Sequence, residues 1–208
     1  YPAVVACIAA SAIFDFCDGL AARLLKAYSP MGKELDSLAD LVSFGLAPAV
    51  MAYNILTECL PTTYTWVAYA TMLIPVFAAL RLAKFNIDER QTTSFIGLAT
   101  PPNAIFWASL VCWLNSIELP TWAPWVLLIG SLLSCYLLVS EIPFFSFKSA
   151  GKKRGLIFLF IIGCVVILTN TIILAITHND IQLAALAGAV CIIWYILVNF
   201  LMLIGAKK

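Results

Sequence analysis

Four aspartates sit inside runs of apolar residues. From Phe14 to Gly45 the chain reads FDFCDGLAARLLKAYSPMGKELDSLADLVSFG, with Asp15 and Asp18 three residues apart and Asp36 and Asp40 four apart. Both spacings place a pair on one face of a helix. An ionised Asp at the centre of a membrane span costs about 2.5–3.5 kcal/mol, so four unpaired ones would cost about 10 kcal/mol. Their position nearer the helix ends lowers that penalty without removing it.

Three compensations answer the cost. Arg23 can pair with one acid, but a single guanidinium does not neutralise four. Protonation would make the acids a proton relay. Divalent cations held between two antiparallel helices would pair all four, because a short turn from Tyr28 to Met31 brings the acids face to face. That all-oxygen donor set suits hard ions such as Mg²⁺ or Mn²⁺. The one histidine, His178, lies far along the chain and reads as a solvated loop residue, so zinc is a poor match. Gly19, Ala21 and Ala22 follow the first acid pair and Gly32 opens the second helix; small side chains let a ligand or a neighbouring helix approach the backbone. Arg23 beside that gap can fork onto phosphate oxygens. The bland alternative is an interhelical salt-bridge network with no chemistry, which leaves intramembrane acids without a purpose.

The elements that must carry these residues are membrane helices. Of 208 residues, 63% are hydrophobic and 11% charged, against roughly 45–50% and 25% in soluble domains. Mean hydropathy is +1.00. A soluble enzyme, a nucleic-acid binder and a disordered chain are excluded by that balance, and a net charge of +1 gives no reason to expect a polyanionic partner. Spans of roughly 20 apolar residues are expected at about 2–27, 34–55, 65–86, 101–117, 120–141, 155–177 and 182–205. The predicted fold is all-α, a polytopic transmembrane bundle forming one integral-membrane domain over residues 1–208. Pro48 and Pro75 should kink the second and third spans. Seven scattered cysteines with no CxxC pair read as small apolar filler.

The twelve basic residues set the topology. They fall at the first, third and fifth connections and at Lys207-Lys208, while the alternate connections have none. The positive-inside rule makes that side cytoplasmic. Lys152-Lys153-Arg154 reads as a topology anchor, with anionic headgroup binding as the sharper alternative. Seven spans leave Tyr1 outside, and no basic n-region or cleavage site marks a signal peptide. The expectation is therefore of one more helix before Tyr1 and eight in all.

The acids and small residues spell D-x2-D-G-x2-A-R-x8-G-x3-D-x3-D, with Asp15, Asp18, Gly19, Ala22, Arg23, Gly32, Asp36 and Asp40 in place. This resembles the signature of the CDP-alcohol phosphotransferase family and departs from it at no fixed position. The resemblance implies an enzyme of the cell membrane, its active site facing the cytoplasm, that binds a CDP-linked alcohol and one or two divalent ions while an acceptor hydroxyl displaces CMP. It implies that Asp15, Asp18 and Asp36 hold Mg²⁺ or Mn²⁺ with Asp40 completing the cluster. Asp18, Gly19, Ala22, Arg23 and Gly32 would bind the nucleotide and diphosphate, and Asp40 would act as general base. A homodimer is also implied.

The segments DSLADLVSFGLAPA, RLAKFN, FIGLATPPNA and LVSEIPFFSFK are similar to the serine-using subgroup of that family, the bacterial and archaeal-type phosphatidylserine synthases. The substrates so implied are CDP-diacylglycerol and L-serine. Lys84 stands where that subgroup usually has Arg, and Ile142–Phe145 is a diverged form of its RYPS-like stretch. Arg81 and Lys84, one turn apart, are candidate partners for the serine carboxylate, with interfacial snorkelling as the alternative. Asn86 either binds serine or caps its helix. Two rivals remain open at this point: another acceptor, such as glycerol phosphate or an inositol compound, and an ion-coupled transporter using the same acids.

Overall fold

The computed structural model describes residues 1–27, 29–88, 95–144, 154–178 and 181–205. Tyr28, Arg90, Phe145, Lys148, Lys152, Lys153, Lys207 and Lys208, and with them most of the expected basic clusters, lie outside the described residues, as do the side chains of Arg154 and His178. The described chain is mostly helical, with two strands of two residues each and short turns between the helices. Five helical stretches are long and apolar enough to cross a bilayer: Pro2–Leu25, Pro30–Cys59, Thr62–Ile87, Phe158–Thr177 and Leu183–Leu201. Their outward faces carry Ile13, Phe14, Phe16, Trp66 and Ile176, all more than 60% exposed. Such an apolar exterior is stable only against lipid, so this is a membrane protein.

Helix α1 (Pro2–Leu25) opens with Pro2 in its first turn, where a missing N–H costs nothing. It stops at Lys26, which takes a left-handed conformation (φ 53°). The Lys26 N–H donates to the Arg23 carbonyl at 3.4 Å and the Ala27 N–H to the Ala22 carbonyl at 3.1 Å, the paired reverse bonds of a Schellman stop. Helix α2 (Pro30–Asp40) restarts four residues later, because Ser29 is extended and its hydroxyl accepts the Gly32 N–H at 3.0 Å.

The second span reaches Cys59 by an irregular route. A π-helical turn, Leu41–Leu46, follows α2 directly, and α3 (Ala47–Cys59) then begins with Pro48 in its first turn. Pro48 has no N–H to return to the carbonyl four residues earlier, and the wide π turn stands where that bond is missing. Pro75 is handled in the same way. A 3₁₀ segment, Thr62–Met72, tightens the chain, and α4 (Leu73–Ile87) starts just before the proline.

Helix α5 (Thr100–Leu114) is the central post, buried on most faces by α1, α3 and α8. At 15 residues it is about 22 Å long, shorter than the span expected at 101–117. The α5–α6 connection is correspondingly longer than two residues. Ser116 closes on the Trp113 carbonyl at 2.6 Å, Pro120 stands in the link, and α6 (Ala123–Val139) begins only beyond it. A buried polar relay pins α5 to α6: Trp107 Nε1 donates to Ser134 Oγ at 3.1 Å, and Ser134 donates to Asn103 Oδ1. Strand β1 (Phe95–Ile96) pairs antiparallel with β2 (Pro143–Phe144). Helices α7 (Arg154–His178) and α8 (Ile181–Gly205) form a hairpin whose second arm packs along α5.

Candidate active site

The turn between α1 and α2 folds the motif back on itself. Asp15 and Asp18 from α1 and Asp36 from α2 each present an oxygen within 4.8 Å of the other two. At that distance two full negative charges repel by about 3.5 kcal/mol at an effective dielectric of about 20. Three carboxylates brought together in that way need a cation or protons between them. Three hard oxygen donors, with room beside them, fit a divalent ion. Asp40, one turn further along α2 and half-buried, stands beside this trio and within its electrostatic field.

Below the acids, α1 and α2 open a cleft of about 840 Å³. Asp18, Gly19, Ala22, Arg23 and Gly32, the residues expected at the nucleotide and diphosphate, all line it, together with Asp36 and Lys33. Space above Gly19 is open, with no atom within 4 Å of where a side chain would begin. Gly32 has a second reason to be glycine: a Cβ there would lie 2.9 Å from the capping hydroxyl of Ser29. Lys33 is an addition that the motif did not mark. Its Nζ donates to the Asn86 carbonyl at 2.9 Å.

The second half of the site is assembled by long-range packing. Gly45 in the π turn lies against α4, where an added Cβ would come 3.2 Å from Ala78 Cβ and 3.4 Å from Pro75 Cα. Small residues at such a crossing let two helices approach closely. One turn beyond this crossing stand Asp40 on one helix and Arg81 on the other, near enough for their charges to influence each other. Arg81 is only 7% exposed. Its Nη1 donates to Thr100 Oγ1 at 3.1 Å, its guanidinium carbon lies 5.6 Å from the Phe85 ring centroid, and its Nε has no hydrogen-bond partner. A snorkelling arginine would be exposed; this one points inward.

Arg81 and Lys84 line a pocket of about 320 Å³ with Asp88, Ser140 and Glu141. Lys84 is exposed at its rim, Nζ 3.5 Å from the Val139 carbonyl. The far wall is Ile96 of β1 and the stretch 138–141 that leads into β2. Gly97 (φ 76°) donates its N–H to the Ile142 carbonyl at 2.9 Å, and any Cβ there would meet the Leu138 carbonyl at 2.7 Å, so only glycine fits. Asn86 neither caps α4, which runs on to Ile87, nor faces this pocket. Its Nδ2 donates to Ser37 Oγ at 3.0 Å and ties α4 to the acid-bearing α2.

The expected residues thus divide into two groups, the motif around one cleft and Arg81 with Lys84 around a second pocket, with Asp40 between them. The π turn, Gly45–Ala78 and the Asn86–Ser37 tie were not anticipated; the run SFG after Asp40 was the only visible hint. The CDP-alcohol phosphatidyltransferase family model matches residues 1–136, which contain every residue of the cleft. A Bacillus subtilis protein named CDP-diacylglycerol–serine O-phosphatidyltransferase is 39% identical over 140 residues, 67% of this chain and 73% of the relative. Proteins of the same name from Mycobacterium leprae (40% over 149 residues, 68% of this chain and 48% of the relative) and Methanocaldococcus jannaschii (38% over 106 residues, 51% and 49%) are also similar. The matched region therefore spans about half the length of these last two. Acid trio, glycine-lined cleft and sequence match converge on one assignment: the chain belongs to the CDP-alcohol phosphatidyltransferase family.

Proposed function

We propose that this chain transfers the phosphatidyl group of CDP-diacylglycerol to L-serine, forming phosphatidylserine and CMP. The observation that carries the reading is the placement of Asp40 between a carboxylate trio and the buried, incompletely hydrogen-bonded Arg81. The relatives' names supply the substrates.

Asp15, Asp18 and Asp36 would hold Mg²⁺ or Mn²⁺, with Asp40 at the edge of the set. Such an ion supplies Lewis-acid neutralisation of the diphosphate when bound. Gly19, Ala22 and Gly32 leave room for the nucleotide, and Arg23 meets phosphate at the cleft wall. Arg81 and Lys84 receive the serine carboxylate, while Asp88 and Glu141 in the same pocket give its ammonium a partner of opposite sign. Mixed charge of this kind suits a zwitterion better than a phosphate-bearing acceptor. Asp40 takes the serine hydroxyl proton as that oxygen attacks the lipid-side phosphorus. The new P–O bond forms as the bond to CMP breaks, with no covalent enzyme intermediate. Asn86 acts at a distance, holding α2 to α4.

The site faces the cytoplasm of a cell membrane, the orientation that the positive-inside rule gives the basic connections of the sequence. A homodimer is the assembly expected, read by light scattering of the detergent complex. The decisive test is CMP release by detergent-purified protein supplied with CDP-diacylglycerol and Mn²⁺. Release that depends on serine, and on neither glycerol phosphate nor inositol, is the expected result; preference for another acceptor would overturn the substrate assignment while leaving the family chemistry intact.

A further inference from the structure

Two walls of the Arg81 pocket come from distant parts of the chain. Arg81 itself is held by Thr100, the first residue of α5. The opposite wall, residues 138–141, is the last turn of α6 and the link after it. Hydrogen bonds tie that wall to α5 and its approach on both sides. Before it, Ser134 Oγ donates to Asn103 Oδ1 and accepts the Trp107 indole N–H at 3.1 Å. At its edges, the Leu98 N–H donates to the Leu137 carbonyl at 2.9 Å and the Gly97 N–H to the Ile142 carbonyl at 2.9 Å. The wall is thus strung between ties at 134, 137 and 142, all running to the stretch 97–103 that contains Thr100.

These ties differ in kind. The two at the edges are backbone bonds, whereas the bond between Ser134 and Asn103 is made by side chains that are 5% and 1% exposed. In an apolar interior such a pair adds little stability over two apolar residues of the same shape, but it tolerates few alternative alignments of the helices that carry it. Asn103 stands about one turn from Thr100 on α5. One turn of α5 therefore holds both Arg81 and α6, the helix that leads into Ser140 and Glu141.

We propose that Ser134 is a positioning residue of the acceptor pocket: its bond to Asn103 fixes the alignment of α6, and so the span from Arg81 to Glu141 across which a small zwitterion is gripped. The proposal rests on the reading that this pocket takes serine, with the carboxylate at Arg81 and the ammonium at the acidic side.

The test measures serine and CDP-diacylglycerol kinetics for wild type, Ser134→Ala, the double variant Ser134→Ala/Asn103→Val, and Ser131→Ala, with thermal unfolding followed alongside. The double variant leaves no half-made pair between the two positions, so it should recover stability that the single variant loses. The expected result is a serine KM raised about fivefold in both, with kcat and the CDP-diacylglycerol KM within about twofold. Ser131 is the control, because its buried hydroxyl donates to the Leu128 carbonyl of its own helix at 2.7 Å; Ser131→Ala should leave the serine KM within about twofold. A double variant with the serine KM of wild type overturns the proposal, since the pair would then serve stability alone. An equal rise in Ser131→Ala, or in the CDP-diacylglycerol KM, overturns it too. CMP release by wild type that does not depend on serine would overturn the acceptor reading itself, and the proposal with it.

Discussion

The acid cleft and the arginine pocket are built by opposite means. The cleft comes from two helices and one turn, all within Asp15 to Asp40, and its walls are half-open: Asp18, Arg23 and Asp36 are exposed. The pocket draws on α4, α6, Ile96 of β1 and the stretch 140–141, with Arg81 almost sealed and tied to α5 through Thr100. A local motif suffices to gather charge for the nucleotide half of the reaction. In the proposed reading the acceptor meets a buried cation, and burying one takes long-range packing. Asp40 is the hinge of the comparison, since it is fixed by the motif on one side and by the Gly45–Ala78 crossing on the other.

That division can be broken in order of expected effect. Asp40→Asn removes the proton acceptor shared by both halves, and CMP release should fall by at least about 100-fold while the protein remains folded; near-normal turnover would remove Asp40 as base. Arg81→Ala strikes the pocket alone. Loss of a charge-assisted bond of about 1.5–3 kcal/mol predicts a fall in kcat/KM for serine of about 10- to 150-fold, with the CDP-diacylglycerol KM unchanged. Equal damage to both substrates would merge the two regions into one. Asn86→Ala tests a residue that ties the regions together without facing either substrate. Losing one neutral hydrogen bond of about 1 kcal/mol predicts a roughly fivefold loss shared by both substrates; a loss confined to serine would put Asn86 in the pocket after all.

What the sequence disclosed follows the same line. The acids, glycines and Arg23 were legible because their partners lie within one helical hairpin, where spacing alone decides which side chains share a face. The helical stretches over the seven expected spans were legible because hydropathy is a local property; their ends were not, since Pro120 and the Ser116 turn shorten α5 and delay α6 through hydrogen bonds no hydropathy window sees. Pro48 and Pro75 announced disturbances, but whether a kink, a π turn or a 3₁₀ segment resolves each depends on what packs alongside. Arg81 read equally well as a snorkelling residue, because its inward placement depends on long-range packing and on its bond to Thr100, 19 positions away in the chain. Asn86 was misplaced for the same reason: its partner, Ser37, lies on a different helix.

The central claim is that Asp15, Asp18 and Asp36 work as a divalent-ion site in phosphatidyl transfer. It is tested most directly by stripping the purified protein with EDTA and following CMP release from CDP-diacylglycerol and serine as Mn²⁺ is returned. The account predicts no release from the stripped protein, saturable recovery in wild type, and no recovery in Asp36→Asn at the same Mn²⁺ concentrations. Undiminished release after chelation, or full recovery in Asp36→Asn, would contradict it.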